Sequence, residues 1–315
     1  MCCAGIVLFA AMISWYGAGD IVSALVMCGP GLVLVAASHL LPVLLDSIGW
    51  RYLLRSGHVP SLISLMRLRW IGESINSLLP AVQIGGDIVR ASLARRDGVD
   101  GAVAGASIVV EITIALITQV LFTFFGVGIL LFSGEDSMAF KAVAGTAAMS
   151  ALTGAFVFMQ RKGLLGNMVQ LLSKIGGDGI VSAFAHGASR LDEEIRTLYR
   201  EYGRLTISGC WRLAGWMAGA VEVWLALYFM GHGISMGEAV MLESLGQAVR
   251  AAAFMVPGAL GIQEGGFVIL CSVIGITPDI AIGLSLAKRV RELVLGIPGL
   301  VAWQAIEGRR LFTRN

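Results

Sequence analysis

The sequence predicts an all-α polytopic membrane protein, with about six full transmembrane helices and two re-entrant helical hairpins in an inverted-topology repeat. Three observations carry this prediction: a composition too poor in charge for a soluble domain, a succession of apolar segments of spanning length, and two broken apolar segments that resemble each other. Of the 315 residues, 57% are hydrophobic and 14% charged, and the mean hydropathy is +0.81. Soluble domains carry about 25% charged and 45–50% apolar residues. The deficit in charge is spread along the chain. It excludes a secreted disulfide scaffold, a disordered regulator and a nucleic-acid-binding domain, and it leaves residues 1–315 as a single integral membrane domain. The five cysteines, Cys2, Cys3, Cys28, Cys210 and Cys271, have no metal-ligand spacing and mostly fall in apolar stretches, where they read as small hydrophobes.

A spanning helix needs about 20 predominantly apolar residues. Residues 4–19 form a short first span, retained because no basic n-region or A-x-A site accompanies it. Residues 21–46 form a second, interrupted by Gly29, Pro30 and Gly31. Residues 102–132 and 139–159 follow, joined by the acidic turn Gly134-Glu135-Asp136, and 205–230 and 279–306 complete the six. The 161–204 loop holds seven of the 23 Lys and Arg residues. Within it Leu191, Ile195, Leu198 and Tyr199 recur at helical spacing, as in an amphipathic helix lying on a membrane surface.

Basic residues mark the cytoplasmic side of a membrane protein. The 51–69 and 90–96 segments, the 161–204 loop and the C-terminus together hold 17 of the 23, and the turns near 18–20, 133–138, 231–237 and 276–279 hold none. Both termini are therefore expected in the cytoplasm. Residues 71–90 and 238–275 are apolar but broken by Pro, Gly and acidic residues. For the orientation to hold, the first must enter and leave on the cytoplasmic side and the second on the outer side. Broken backbone at membrane depth is tolerated where it is buried in protein or lines a wet cavity, so both segments are read as re-entrant hairpins.

The two segments also align. Glu73-Ser74, Pro80, Gly85-Gly86-Asp87, Gly98, Ser107 and Glu111 correspond to Glu243-Ser244, Pro257, Glu264-Gly265-Gly266, Gly275, Ser285 and Arg289. Repeat one runs over about 71–132 and repeat two over about 238–306. Paired broken helices in oppositely oriented repeats are the pattern of secondary transporters with a midplane binding site.

Charges inside the hydrocarbon region are functional candidates by default. Glu111 lies about ten residues into its span, roughly 14 Å deep at the helical rise, and Arg289 lies at a similar depth from the opposite face. Their equivalent positions and opposite signs point to one shared cavity, with the two facing each other. Lys288, Arg291 and Glu292 extend a charged cluster on the last span, where Arg289 and Arg291 suit bidentate contact with a lipid phosphate; a structural ion-pair network is the other reading of these charges. Asp87 and Glu264, beside the Gly-Gly pairs, are expected to cap exposed helix N-termini, alone or together with a part in gating or proton coupling. Arg90 reads as a headgroup anchor or a substrate contact. Asn76 and Gln83 are placed to satisfy broken backbone, or to touch a ligand. Glu222, mid-span, calls for a partner, with Arg212 or Arg250 as candidates. His39, His58, His186 and His232 form no cluster, and no cofactor or metal is expected.

The run Asn76–Arg90 (NSLLPAVQIGGDIVR), the following Ser107–Glu111 (SIVVE), and the second block VPGALGIQEGGF (256–267) with SLAKRVRELVLGIPGL (285–300) resemble the membrane domain of lysylphosphatidylglycerol synthases. That broad group is often called flippase-like. The second block is most similar to the hopanoid-biosynthesis-associated members known as HpnL. The resemblance implies a bacterial inner-membrane protein that moves lipids or lipid-linked molecules between leaflets. With no aminoacyl-transferase segment before Asn315, aminoacylation of phosphatidylglycerol is not expected of it. The leading expectation is a lipid translocator rather than an enzyme, with membrane lipids as its partners and no nucleic acid. One rival is an accessory subunit that holds lipid-biosynthesis enzymes through the 161–204 loop. A less favoured rival is a lipid-linked transferase using Asp20. The sequence leaves the oligomeric state open.

Overall fold

The computed structural model of the chain describes Val26 and residues 28–55, 57–79, 85–132, 136–161, 190–252 and 261–313. The expected first span at 4–19, Cys2, Cys3, Asp20, the Pro80–Gln83 and Pro257 breaks, residues 133–135 and most of the 161–204 loop lie outside the described residues. All regular structure among those described is helical.

The helix ends have local causes. Pro42 has no N–H for the carbonyl of Ser38 four residues back, and the helix divides there into α1 (Gly31–Ser38) and α2 (Leu40–Leu53), with His39 at the break. Helix α3 (Leu62–Leu78) starts at Ser61, whose hydroxyl accepts the Ser64 N–H, and ends at Leu79. Leu79 precedes a proline, a position that disfavours helical backbone, and it is extended at φ −103°, ψ 142°. Next among the described residues come α4 (Gly85–Arg96) and α5 (Gly101–Phe132). Asp100 caps α5 by accepting the Ala102 N–H at 2.9 Å.

The helices of the second half follow in order. Helix α6 (Asp136–Arg161), a helix over 190–200 (α7) and α8 (Tyr202–Phe229) lead to α9 (Met236–Ala252). Ser235 and Glu238 form a reciprocal capping box at the start of α9. Helix α10 (Ile262–Val273) follows Gly261, whose φ of 76° lies in the left-handed region that glycine adopts without strain. Helix α11 (Pro278–Thr313) opens on a proline, whose missing N–H is harmless in a first turn. Two stretches, Gly31–Leu53 and Gly101–Phe132, are long and apolar enough to cross a membrane by length and composition.

The hydropathy reading and the structure differ along α2 and α3. The expected second span stops at Asp46, but helix continues to Leu53. The expected cytoplasmic 51–69 stretch contains the end of α2 and half of α3, and Arg69 on α3 is buried. Asp46 and Arg69 turn toward each other across the helices, and a paired charge does not end a buried helix.

Two apolar cores lie at opposite ends of the bundle. One joins α1 and α9 with the later parts of α5, α8 and α10 and the first third of α11, around Val35, Leu227, Met241, Phe267 and Leu284. The other joins α2, α3 and α4 with the first half of α5, α7 and the later part of α11, around Trp50, Leu65, Ile71, Ile108 and Leu198. Along α5 the second core uses residues up to Ile114 and the first resumes at Val127. The stretch between them, like the middle of α8 and of α11, carries the polar residues.

The packing is crossed. Helix α3 packs on α11 as well as on α4, and α9 packs on α5 as well as on α10. Serine meets glycine at each crossing. A Cβ on Gly299 would lie 2.0 Å from Ser74 Oγ, and a Cβ on Gly126 would lie 1.9 Å from Ser244 Oγ. Ser74 and Ser244 are the serines of the two Glu-Ser pairs. Helices α3 and α4 approach at Gly72 and Gly86, where a Cβ on Gly86 would sit 1.9 Å from the Gly72 carbonyl oxygen. Backbone cannot rotate away as a side chain can. Gly86→Ala is therefore expected to destabilise the protein by about 1–3 kcal/mol, measured by thermal unfolding in detergent. Gly128→Ala on α5, with open space around it, is expected to leave stability unchanged or slightly raised.

Candidate functional site

Between the two cores lies a cavity of about 450 Å³ lined by charged residues from α2, α3, α4, α5, α8, α9 and α11, with His39 between α1 and α2. A second hollow of about 740 Å³ lies against Arg51, Tyr52, Arg55, Glu201 and Arg204, away from these buried charges.

One end of the cavity is built around Asp46 and Glu111. Arg69 donates to Asp46 at 2.9 Å and to one oxygen of Glu111, and Arg90 donates to the other oxygen. Arg212, reaching in from α8, also donates to Asp46. Glycine makes room here, since a Cβ on Gly215 would lie 2.5 Å from Asp46 Oδ1. The guanidinium of Arg90 lies 4.6 Å from the Trp50 ring centre, and that of Arg212 lies 4.8 Å from the Trp216 ring. Such contacts support a desolvated cation on its remaining face. Trp50 is itself fixed by donating to Ser107 at 3.0 Å.

The other end is built around Glu222 and Glu243. Arg291 donates through Nε to Glu222 at 3.1 Å. Lys288 donates to Glu243 at 2.7 Å and lies 3.7 Å from Glu222. Gln247 donates to the other oxygen of Glu243 at 2.8 Å, and Arg250 donates to Glu292. His39 lies between two carboxylates, with Nε2 2.7 Å from Glu73 and Nδ1 3.2 Å from Glu222.

Arg69, Arg90, Glu111, Glu222, Glu243, Lys288, Arg291 and Glu292 are all less than a tenth exposed. Isolated charges at such sites cost several kcal/mol each, so the pairing is what permits them. The arrangement can present arginines and carboxylates together to a polar group entering the bundle.

A family model described as lysylphosphatidylglycerol synthase TM region matches residues 3–299. The chain belongs to that family. No curated protein and no solved structure matches it. Family membership, with the all-helical fold, makes this a membrane protein with a membrane lipid-related function.

Of the residues singled out from the family's two motif blocks, Asn76, Asp87, Arg90, Glu111, Arg291 and Glu292 line the cavity. Lys288 lies just behind its wall. Arg289 does not face Glu111, contrary to the expected pair. It turns toward α10, where its Nε donates to Glu264 at 2.7 Å. One residue beyond Lys288 is about 100° further round a helix, which takes Arg289 off the cavity face. Glu264 caps α10 as expected, accepting the Gly261 N–H at 2.7 Å, and holds Arg289 with its second oxygen. Asn76 accepts the Gly86 N–H at 2.8 Å and so satisfies backbone across the hairpin. Asp87 stands in the first turn of α4, 3.5 Å from Arg90. Gln83 lies outside the described residues.

Two further corrections concern partners. Arg90 is a buried counter-ion of Glu111 rather than a headgroup anchor, because α4 turns it inward over Trp50. Glu222 pairs with Arg291, Lys288 and His39, while Arg212 and Arg250, its expected candidates, bind Asp46 and Glu292. The sequence reading missed Asp46, Arg69, His39, Glu73 and Glu243 as members of the site. A signal existed for Arg69 and Glu73: four residues apart, they share one face of an otherwise apolar helix.

The network predicts a graded response to neutralisation. Glu111→Gln leaves Arg69 and Arg90 without their shared carboxylate and is expected to destabilise by about 3–5 kcal/mol. Arg96→Gln removes a pair with Glu307 whose side chains are each 31% exposed, and is expected to change stability by less than about 1 kcal/mol. Thermal unfolding of the two variants in one detergent compares them.

Proposed function

We propose that the chain translocates a membrane lipid, or a lipid-linked molecule, by passing its headgroup through the charged cavity while the apolar chains remain in the bilayer. The observation that carries this reading is the cavity itself. In a membrane protein of this family, polar space large enough for a headgroup is enclosed between two apolar cores and lined from both halves of the chain. Arginines at both ends suit a phosphate, and the accompanying carboxylates suit a cationic group.

In this reading α3–α4 and α9–α10 are the re-entrant hairpins of an inverted repeat, with α5 and α11 as equivalent long helices. The crossed packing, with a serine on glycine at each crossing, supports that equivalence. Rocking of one repeat against the other would open the cavity to each face in turn. The excess of basic residues at 90–96, 161–204 and the C-terminus supports cytoplasmic termini. The resemblance of the second motif block to hopanoid-associated members supports a place in hopanoid or other envelope lipid handling in a bacterial inner membrane.

Leaflet exchange in proteoliposomes tests the reading, with fluorescent lipids of several headgroups scored by quenching of the outer leaflet. Wild type is expected to move at least one of them. Ala115→Trp, at the cavity wall, is expected to slow movement by about tenfold or more, corresponding to roughly 1.4 kcal/mol of added barrier. Phe125→Ala, on the exposed surface, is expected to leave it unchanged. Exchange that is absent with every headgroup, or indifferent to Ala115→Trp, contradicts translocation through this cavity.

A further inference from the structure

The cavity carboxylates are not alike. Side chains of Asp46, Asp87, Glu111, Glu222, Glu243 and Glu292 are 3–20% exposed, and each meets an arginine or lysine. The Glu73 side chain is 41% exposed, facing the open space, and among the described residues its hydrogen-bond and ion-pair partner is His39 alone. The most exposed of the cavity carboxylates is thus held by the one side chain type that changes charge near neutral pH.

Both ring nitrogens of His39 face carboxylate oxygens, Nε2 toward Glu73 at 2.7 Å and Nδ1 toward Glu222 at 3.2 Å. Carboxylates only accept, so an imidazole satisfying both must donate from both nitrogens, as the imidazolium does. The charge balance agrees. Seven carboxylates line the cavity against five arginines, and Lys288 behind the wall supplies a sixth cation; a charged His39 makes the seventh. The groups around the ring come from every element packed on it. They are Glu73 on α3 with Arg69 beyond it, Glu222 on α8, Arg291 and Lys288 on α11, and Glu243 on α9 behind Lys288.

We propose that His39 is a proton-binding site that gates Glu73 and couples the cavity to the proton concentration. In the protonated state the imidazolium ties Glu73 and Glu222 together at the α1–α2 break. Loss of the Nε2 proton to cavity water leaves a lone pair that can accept from Arg291, whose Nη1 already lies 3.5 Å away. Glu73 then keeps its negative charge without a donor and faces the cavity. The cavity's net charge falls by one, so the next cation to bind, a proton or a positively charged part of the cargo, neutralises it. The coupling rests on the translocator reading; the proton site does not, and the test separates them.

The full chain, labelled with ¹⁵N-histidine in detergent, is titrated between about pH 5 and 11, from below the ordinary imidazole range to well above it. The His39 signal is identified by its loss in His39→Asn. The expected result is a doubly protonated ring at the acid end that titrates within the range, with a midpoint displaced by about one pH unit or more in Glu73→Gln. A ring that is neutral throughout, or a midpoint unmoved in Glu73→Gln, overturns the site. In proteoliposomes, wild-type lipid exchange is expected to vary with pH over the same range, and His39→Asn exchange to be flat. Equal pH dependence in both overturns the coupling. Absence of exchange in wild type with every lipid defeats translocation, and with it the coupling, while the titration still decides the proton site.

Discussion

Every buried charge in this protein has to be answered by another, and that requirement organises the middle of the molecule. Facing lipid or packed protein, a stray guanidinium or carboxylate is poorly solvated, and the cost of leaving one unpaired there rivals the stability of a whole domain. Asp46, Arg69, Arg90, Glu111 and Arg212 come from five helices, and each reaches a partner on another. Glu222, Glu243, Lys288, Arg291, Arg250 and Glu292 do the same from three. These pairs fix how the helices face one another more strictly than apolar packing would, since aliphatic contacts tolerate small rotations and a buried ion pair does not. The same pairs explain why helix continues through Asp46 and Arg69, where a hydropathy profile places a span end and a loop.

The two apolar cores fit around this constraint. Each gathers helices from both halves of the chain, so neither half closes by itself. The crossings of α3 on α11 and of α9 on α5 are built from small residues that bring backbones close, the kind of interface helices use where the surrounding lipid is as apolar as their own side chains. The layer between the cores is left with charge and with space, a combination that suits transient occupation by a polar group. The proposed movement of a headgroup follows from that combination, and the exposure of Glu73 within it marks the place where the network is held least tightly.

Much of this was legible in the sequence. Charge poverty and segment length gave the class, and the Gly-Gly pairs fall in the opening turns of α4 and α10. The depth of Glu111 marked it as a cavity residue. What escaped was azimuth and partnership. Arg289 and Lys288 are neighbours in sequence, yet helical geometry sends one to α10 and the other toward the cavity wall. Asp46 and Arg69 sit near the ends of hydropathy segments, where a charge is ordinarily solvated, and only the approach of α8 at Gly215 and of α5 at Glu111 makes them interior. The Glu-Ser pairs were visible as repeat markers. That their serines seat on glycines of the opposite half, and their glutamates line one cavity, depends on contacts between residues far apart in the chain.

Translocation through the layer of paired charges requires that water and polar groups reach it within the membrane. The most direct measurement of that access is the reactivity of a cysteine placed at Ala115, in a chain whose five native cysteines are replaced, toward a charged, membrane-impermeant thiol reagent in intact proteoliposomes. A cysteine at Phe125, on the exposed apolar surface, is the reference. The cysteine at position 115 is expected to react and the one at 125 to stay unmodified. Protection of both would mean a dry lock of ion pairs that holds helices together and carries nothing.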